Sequence, residues 1–185
     1  MSGDNPWREP VVVMQIPDTG LHRQIEADEP VRAALATLGE LRDISSAKAS
    51  FDLVPLSGGR VHVTGRVRAT VGQVCVVTLD PIDSTIDEAV DLMFMPPEQI
   101  RELSETVDVD GDPAPGDPPE AIERGVIDLG RVAADALFLG IDPYPRKPEA
   151  VFEPVVEAGD PEEHPFAALG ALKASAKPAR KPKGD

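Results

Sequence analysis

A single cysteine, Cys75, stands in a chain of 185 residues. It excludes an intramolecular disulfide framework and any zinc knuckle built on cysteines. The three histidines, His22, His62 and His164, lie far apart and show no ligand spacing. No apolar run approaches the ~18 residues that a membrane helix needs. The first residues carry neither a basic stretch nor the apolar stretch of a secretory signal. A soluble cytoplasmic protein with no membrane partner is therefore expected. Aromatic residues are scarce, with five Phe, one Trp and one Tyr, so Val, Leu and Ile must build any core. Basic residues are outnumbered as well: 18 Lys and Arg face 33 Asp and Glu, a net charge of −15. Such a charge repels phosphate backbones at long range and argues against indiscriminate binding to nucleic acid or an anionic membrane.

What is present is a modest core and much proline. Leu, Ile, Val and Phe make up about a quarter of the chain, above the roughly one-fifth below which charged chains stay disordered. The 20 prolines, roughly twice ordinary usage, require a good deal of loop or linker.

Residues 10–17 form a β-branched run between two prolines and read as a first or edge strand. From Pro30 to Arg42, Val31, Leu35, Leu38 and Leu41 recur at helical spacing, with Asp28 as N-cap and Pro30 in the first turn. Ala47, Ala49, Phe51 and Leu53 then alternate with polar residues. Ser57-Gly58-Gly59 supplies a turn, and Val61, Val63, Val67, Ala69 and Val71 alternate with Arg60, His62, Thr64, Arg66, Arg68 and Thr70. This pattern predicts an antiparallel hairpin with one buried and one wet face.

A compact apolar run over 74–79 ends at Asp80-Pro81. Residues 82–95 fit either a strand or a capped helix, and the strand is preferred because Pro96-Pro97 ends it and the hairpin needs a partner. Residues 98–123 hold nine acids and one base, with four prolines, and read as a long acidic loop. Asp128 is a good N-cap for a helix over 129–139 with Leu129, Val132, Ala133, Ala136 and Leu137 inward. Asp142 to Pro148 stops regular structure. The expected organisation is one α+β domain over 1–148, then a linker and flexible tail over 149–185 with a short helix near 165–174. The expected fold is a curved antiparallel sheet or partial β-barrel flanked by two or three helices.

Little in the chain looks catalytic. Asp108-Val-Asp110-Gly-Asp112 begins like a calcium loop, but glycine falls at the fourth place instead of the sixth and prolines follow. A solvated acidic linker is the better reading, and no metal or cofactor is expected. Carboxylates are plentiful, yet none sits in a recognisable acid–base frame. Cys75 among Val74, Val76 and Val77 reads as a small buried hydrophobe. The row Arg60, His62, Arg66, Arg68 has two readings. It can contact RNA phosphates, or it can pair across strands with Asp83, Asp87 and Asp91. In the tail, Phe166, Leu169, Leu172 and Lys173 would share one helix face, suited to docking on a partner or back on the domain.

Five segments occur in order: Val63-Thr-Gly-Arg-Val-Arg-Ala69, Cys75-Val-Val-Thr-Leu-Asp-Pro81, Ile127-Asp-Leu-Gly130, Asp142-Pro-Tyr-Pro-Arg-Lys-Pro148 and Pro165-Phe-Ala-Ala-Leu-Gly-Ala-Leu-Lys173. Together they resemble the bacterial YceD family of large ribosomal RNA subunit accumulation proteins. The resemblance implies a non-enzymatic factor needed for normal 23S ribosomal RNA levels. Its implied partners are the maturing large subunit and ribosomal or assembly proteins, with direct RNA contact left open. The alternative is an acidic protein-interaction module that recruits a basic partner without touching RNA. Many members carry a second cysteine three residues after the first; Thr78 stands there in this chain, so no metal or redox role follows.

Overall fold

Strict alternation on both sides of Ser57-Gly58-Gly59 produces two long strands, β3 (Asp43–Leu56) and β4 (Arg60–Val74). Their register runs from Leu56↔Arg60 to Asp43↔Gly72, with one irregularity between Ile44 and Ser46. The turn is possible because Gly58 and Gly59 take φ of 77° and 72°, where a Cβ would be strained. The segment left open between helix and strand is a strand, β5 (Pro81–Met95), antiparallel to β4 from Val74↔Pro81 to Val61↔Phe94. The structure is a computed structural model and describes residues 5–106 and 118–152.

Two further strands complete the main sheet. β2 (Leu21–Glu26) pairs antiparallel with β3, and the two-residue β6 (Glu120–Ala121) runs parallel to β5 at Phe94 and Met95. The order β2-β3-β4-β5-β6 leaves β2 and β6 as edges, so the sheet is open and not the partial barrel that the long strands suggested. The expected first strand is also shorter. β1 spans Pro10–Val12, a 3-10 turn follows at Val13–Gln15, and β1 pairs with β7 (Val126–Asp128) in a separate small sheet.

Helix α1 (Glu29–Leu38) begins where Asp28 accepts a hydrogen bond from the Val31 N–H at 3.0 Å. It stops at Gly39, before Leu41. Its fully buried contacts are Leu35 and Ala36, while Leu38 is 59% exposed; the expected apolar stripe is narrower than the spacing implied. Helix α3 (Leu129–Leu139) starts at Asp128, whose carboxylate accepts from Gly130 N–H at 3.1 Å and Arg131 N–H at 3.4 Å. The same oxygen accepts from Glu9 N–H at 2.9 Å, which ties the segment before β1 to the start of α3.

One stretch assigned to the acidic loop is a helix. α2 (Pro97–Thr106) opens on a proline at its start, with Glu98 in the first turn. Glutamate is a good helix former, and a high acid count over 98–106 is compatible with helix as well as loop. Residues 107–117 of the expected loop, the tail from 153 onward and its helix near 165–174 lie outside the described residues.

The core lies on one side of the main sheet. Phe51, Leu53, Val61, Val63, Val67, Val71 and Ile86 face inward and meet Leu35 of α1 and Leu129, Ala133 and Leu137 of α3. Burying such aliphatic and aromatic side chains stabilises by roughly 1.5–3 kcal/mol each. The other face, which alternates with these residues, is the polar one.

Candidate functional site

The outer face of the sheet is a grid of polar side chains fixed by strand register. Glu26, Lys48, Arg68 and Asp87 are successive neighbours across β2, β3, β4 and β5. The next row is Gln24, Ser50, Arg66 and Ala89, followed by His22, Asp52, Thr64 and Asp91. A shallow hollow of about 660 Å³ lies over the first two rows, lined by Gln24, Glu26, Lys48, Ser50, Arg66 and Arg68.

The four basic residues expected on one face are on one face, and three of them have acidic partners. Arg66 Nε donates to Asp87, and Arg68 Nε reaches the other oxygen of the same carboxylate at 3.4 Å. His62 Nε2 lies 2.6 Å from Asp91. Arg60 instead donates to the Ser57 carbonyl at 2.9 Å and to the Ser57 hydroxyl at 3.3 Å. Asp83, expected to join this row, pairs with Arg42 at 2.7 Å. Lys48 pairs with Glu26 at 3.1 Å.

The hydrogen bond from Arg66 holds the Asp87 carboxyl below the usual range, with Arg68 adding a smaller push. The same bond raises Arg66 further. Around Arg66, Arg68 and Lys48, three cations meet two carboxylates, so the hollow keeps a slight positive excess within an acidic protein.

A second constellation sits where β4 turns into β5. Residues 75–80 form a turn and not a packed apolar run: Val76 and Leu79 are exposed, and Leu79 has φ of 60°. Cys75 is buried as expected. The irregular segment after α3 holds this turn in place. Val76 N–H donates to the Pro145 carbonyl at 3.0 Å, Lys147 Nζ pairs with Asp80 at 2.7 Å, and Gln73 Nε2 donates to the Asp142 carbonyl at 2.8 Å.

Donors converge on the Cys75 sulfur: the Thr78 hydroxyl first, then the backbone N–H groups of Lys147, Thr78 and Val77. They outweigh desolvation and pull the thiol down to about 6. A lowered native pKa stabilises the folded state above the unfolded thiol value of ~8.5. That stabilisation is lost as pH falls through about 6. The wild-type melting temperature should therefore rise between these limits relative to a Cys75→Ser variant. Parallel pH profiles for the two proteins would refute the assignment.

A third feature borders β5. A cleft of about 610 Å³ separates the Ala89–Phe94 stretch of β5 from α3 and β7, with Leu92, Val132, Ala136 and Leu139 among its apolar walls. Burial raises the Asp135 carboxyl on its rim, and Arg131, 3.7 Å away, partly opposes that effect. Period-2 alternation found the basic row. It missed β2 because Arg23 occupies an inward slot between Leu21 and Ile25, and it missed the Cys75 corner because the segment that completes it, Asp142 to Lys147, is distant in sequence. Phe166, Leu169, Leu172 and Lys173 lie outside the described residues. Among the described residues no group of His, Cys, Asp and Glu is arranged to hold a metal. No described helix is long and apolar enough to cross a membrane.

These features define a mixed α+β protein with one sheet face packed under helices and the other displayed as a charge-paired polar surface. Residues 63–173 match the family described as large ribosomal RNA subunit accumulation protein YceD, and the chain belongs to that family. No curated protein and no solved structure matches the chain.

Proposed function

We propose that the protein supports 23S ribosomal RNA accumulation and large-subunit assembly in the cytoplasm by binding a basic ribosomal or assembly protein, without catalysing a reaction. The family description supplies the connection to large-subunit RNA. The observation that favours a protein partner is the pairing of Arg66 and Arg68 with Asp87 and of His62 with Asp91. Guanidinium groups already engaged with carboxylate attract phosphate weakly, and the net charge of −15 opposes a polyanion. The segment bearing Phe166, Leu169, Leu172 and Lys173 lies within the family match and is proposed as a second partner-docking element.

Deleting the gene should lower the ratio of 23S to 16S RNA and distort the subunit profile. An unchanged ratio with a normal profile would end this reading. A direct RNA foothold on Arg60, His62, Arg66 and Arg68 is the second reading, kept because Arg60 bonds to Ser57 and pairs with no carboxylate among the described residues. Asp87→Asn separates the two. If the row is neutralised by its aspartates, the wild type binds a large-subunit RNA fragment weakly, and the variant binds severalfold more tightly with a steeper salt dependence. Tight wild-type binding that Asp87→Asn leaves unchanged would favour the RNA foothold.

A further inference from the structure

Strand β5 has an open edge. Among the described residues, β6 covers it only at Phe94 and Met95, and no strand pairs with it from Pro81 to Met93. The pleat fixes which backbone groups face outward there. Met95 C=O accepts from Ile122 N–H at 2.8 Å on the β6 side. Every second residue back along the strand points its N–H and C=O the same way. Asp83, Thr85, Asp87, Ala89, Asp91 and Met93 therefore present donors and acceptors to an incoming chain.

We propose that this edge is a strand-addition site for an extended segment of a basic protein in which Lys or Arg alternates with apolar side chains. The inference rests on the binding role proposed above and names its surface and partner chemistry. On the outer face such a segment would lie beside Asp83, Asp87 and Asp91. The Asp83 and Asp91 side chains are 67% and 78% exposed despite their existing partners, Arg42 and His62. A carboxylate accepts several hydrogen bonds, so each retains capacity for an added cation. On the inner face the alternate side chains would run beside Ile86 and Val90 and enter the cleft walled by Leu92, Val132, Ala136 and Leu139. Backbone pairing supplies affinity and the alternation supplies selectivity.

Charge also selects against a second copy of this chain. Two β5 edges brought together would set one row of aspartates against another, a repulsive arrangement that edge strands commonly use to prevent self-pairing. The opposite edge of the sheet, β2, is six residues long, carries His22 and Arg23, and borders the polar hollow of the outer face instead of the apolar-walled cleft. It serves as an internal control.

The test uses the full chain and two labelled synthetic peptides of equal composition, one alternating Lys and Val, the other grouping them in pairs. The alternating peptide should bind more tightly by fluorescence anisotropy and protect the outward amides of β5 from hydrogen exchange. Ala89→Pro removes one outward N–H at an exposed edge position and should weaken binding about tenfold. If that variant melts early, Ala89→Lys places a cation on the same edge and should weaken binding while leaving the backbone intact. Equal binding of both peptides, protection at Leu21–Glu26 instead, or unchanged affinity in both variants would overturn the site. In a deletion strain, a folded Ala89→Lys chain should fail to restore 23S RNA. Full restoration despite weakened peptide binding removes the edge as the working surface and leaves the assembly role standing. An unchanged 23S level on deletion removes the assembly role, and the peptide measurements then decide the edge alone.

Discussion

Replacing Phe51 with alanine should lower unfolding stability by about 3–5 kcal/mol, a large part of the roughly 5–15 kcal/mol that a domain possesses. The size follows from what faces the ring. Phe51 is fully buried, and its cross-strand neighbour in β4 is Gly65. A Cβ on Gly65 would collide with the Phe51 ring edge and the Ser50 carbonyl, because the ring occupies the space a β4 side chain would have taken. Truncating Phe51 thus leaves a void that no neighbouring side chain already fills. The check is a denaturant titration, in which the midpoint should move far down with little change in slope. A loss below about 1 kcal/mol would mean that the inner face collapses freely around the gap. The pair is coupled as well, so enlarging residue 65 should cost less in the Phe51→Ala background than in wild type.

Gly130→Ala should also destabilise, by about 1–3 kcal/mol, although alanine ordinarily gains about 1 kcal/mol over glycine in a helix. Gly130 is the second residue of α3, and its φ is not in the left-handed region. Its requirement is therefore space. A Cβ there would lie 2.6 Å from the Trp7 carbonyl carbon, 2.9 Å from the Arg8 nitrogen and against the Trp7 carbonyl oxygen. These are backbone atoms and cannot swing aside as a side chain could. The segment from Trp7 to Glu9 is further held by Leu129 N–H donating to the Glu9 carbonyl at 3.0 Å. Thermal melting decides the matter: a raised melting temperature would show that this segment yields at little cost.

The sequence was most legible where period and environment agreed. β3 and β4 alternate strictly because one face is packed and the other wet, and the buried valines of β4 are the ones the alternation selects. The caps at Asp28 and Asp128 were readable for a similar reason, since each is a local solution to unpaired N–H groups. β2 was hidden by Arg23, which stays exposed at the sheet edge while occupying an inward position. α2 was hidden by its acidity, which suits a solvated helix as well as a loop. The basic row was legible as a row. Its partners were not fully so: Asp87 and Asp91 fell on it as alternation suggested, whereas Asp83 turned to Arg42. The Cys75 corner was beyond local pattern, because its geometry depends on chain that returns from Asp142 to Lys147.

The pairing of Pro10 with Asp128 has a consequence in time. β2 to β5 can assemble as each new strand folds onto the one before it, through contacts close in sequence and hence fast to form. β1 cannot. Its only described partner is β7, so β1 waits for that pairing until Asp128 has followed. Through that interval Val11 lacks its cross-strand partner Ile127, and Trp7 lacks the start of α3 against which its backbone packs. The main sheet should therefore acquire its hydrogen bonds first, with the Trp7 signal changing in a later step that closes the chain on itself.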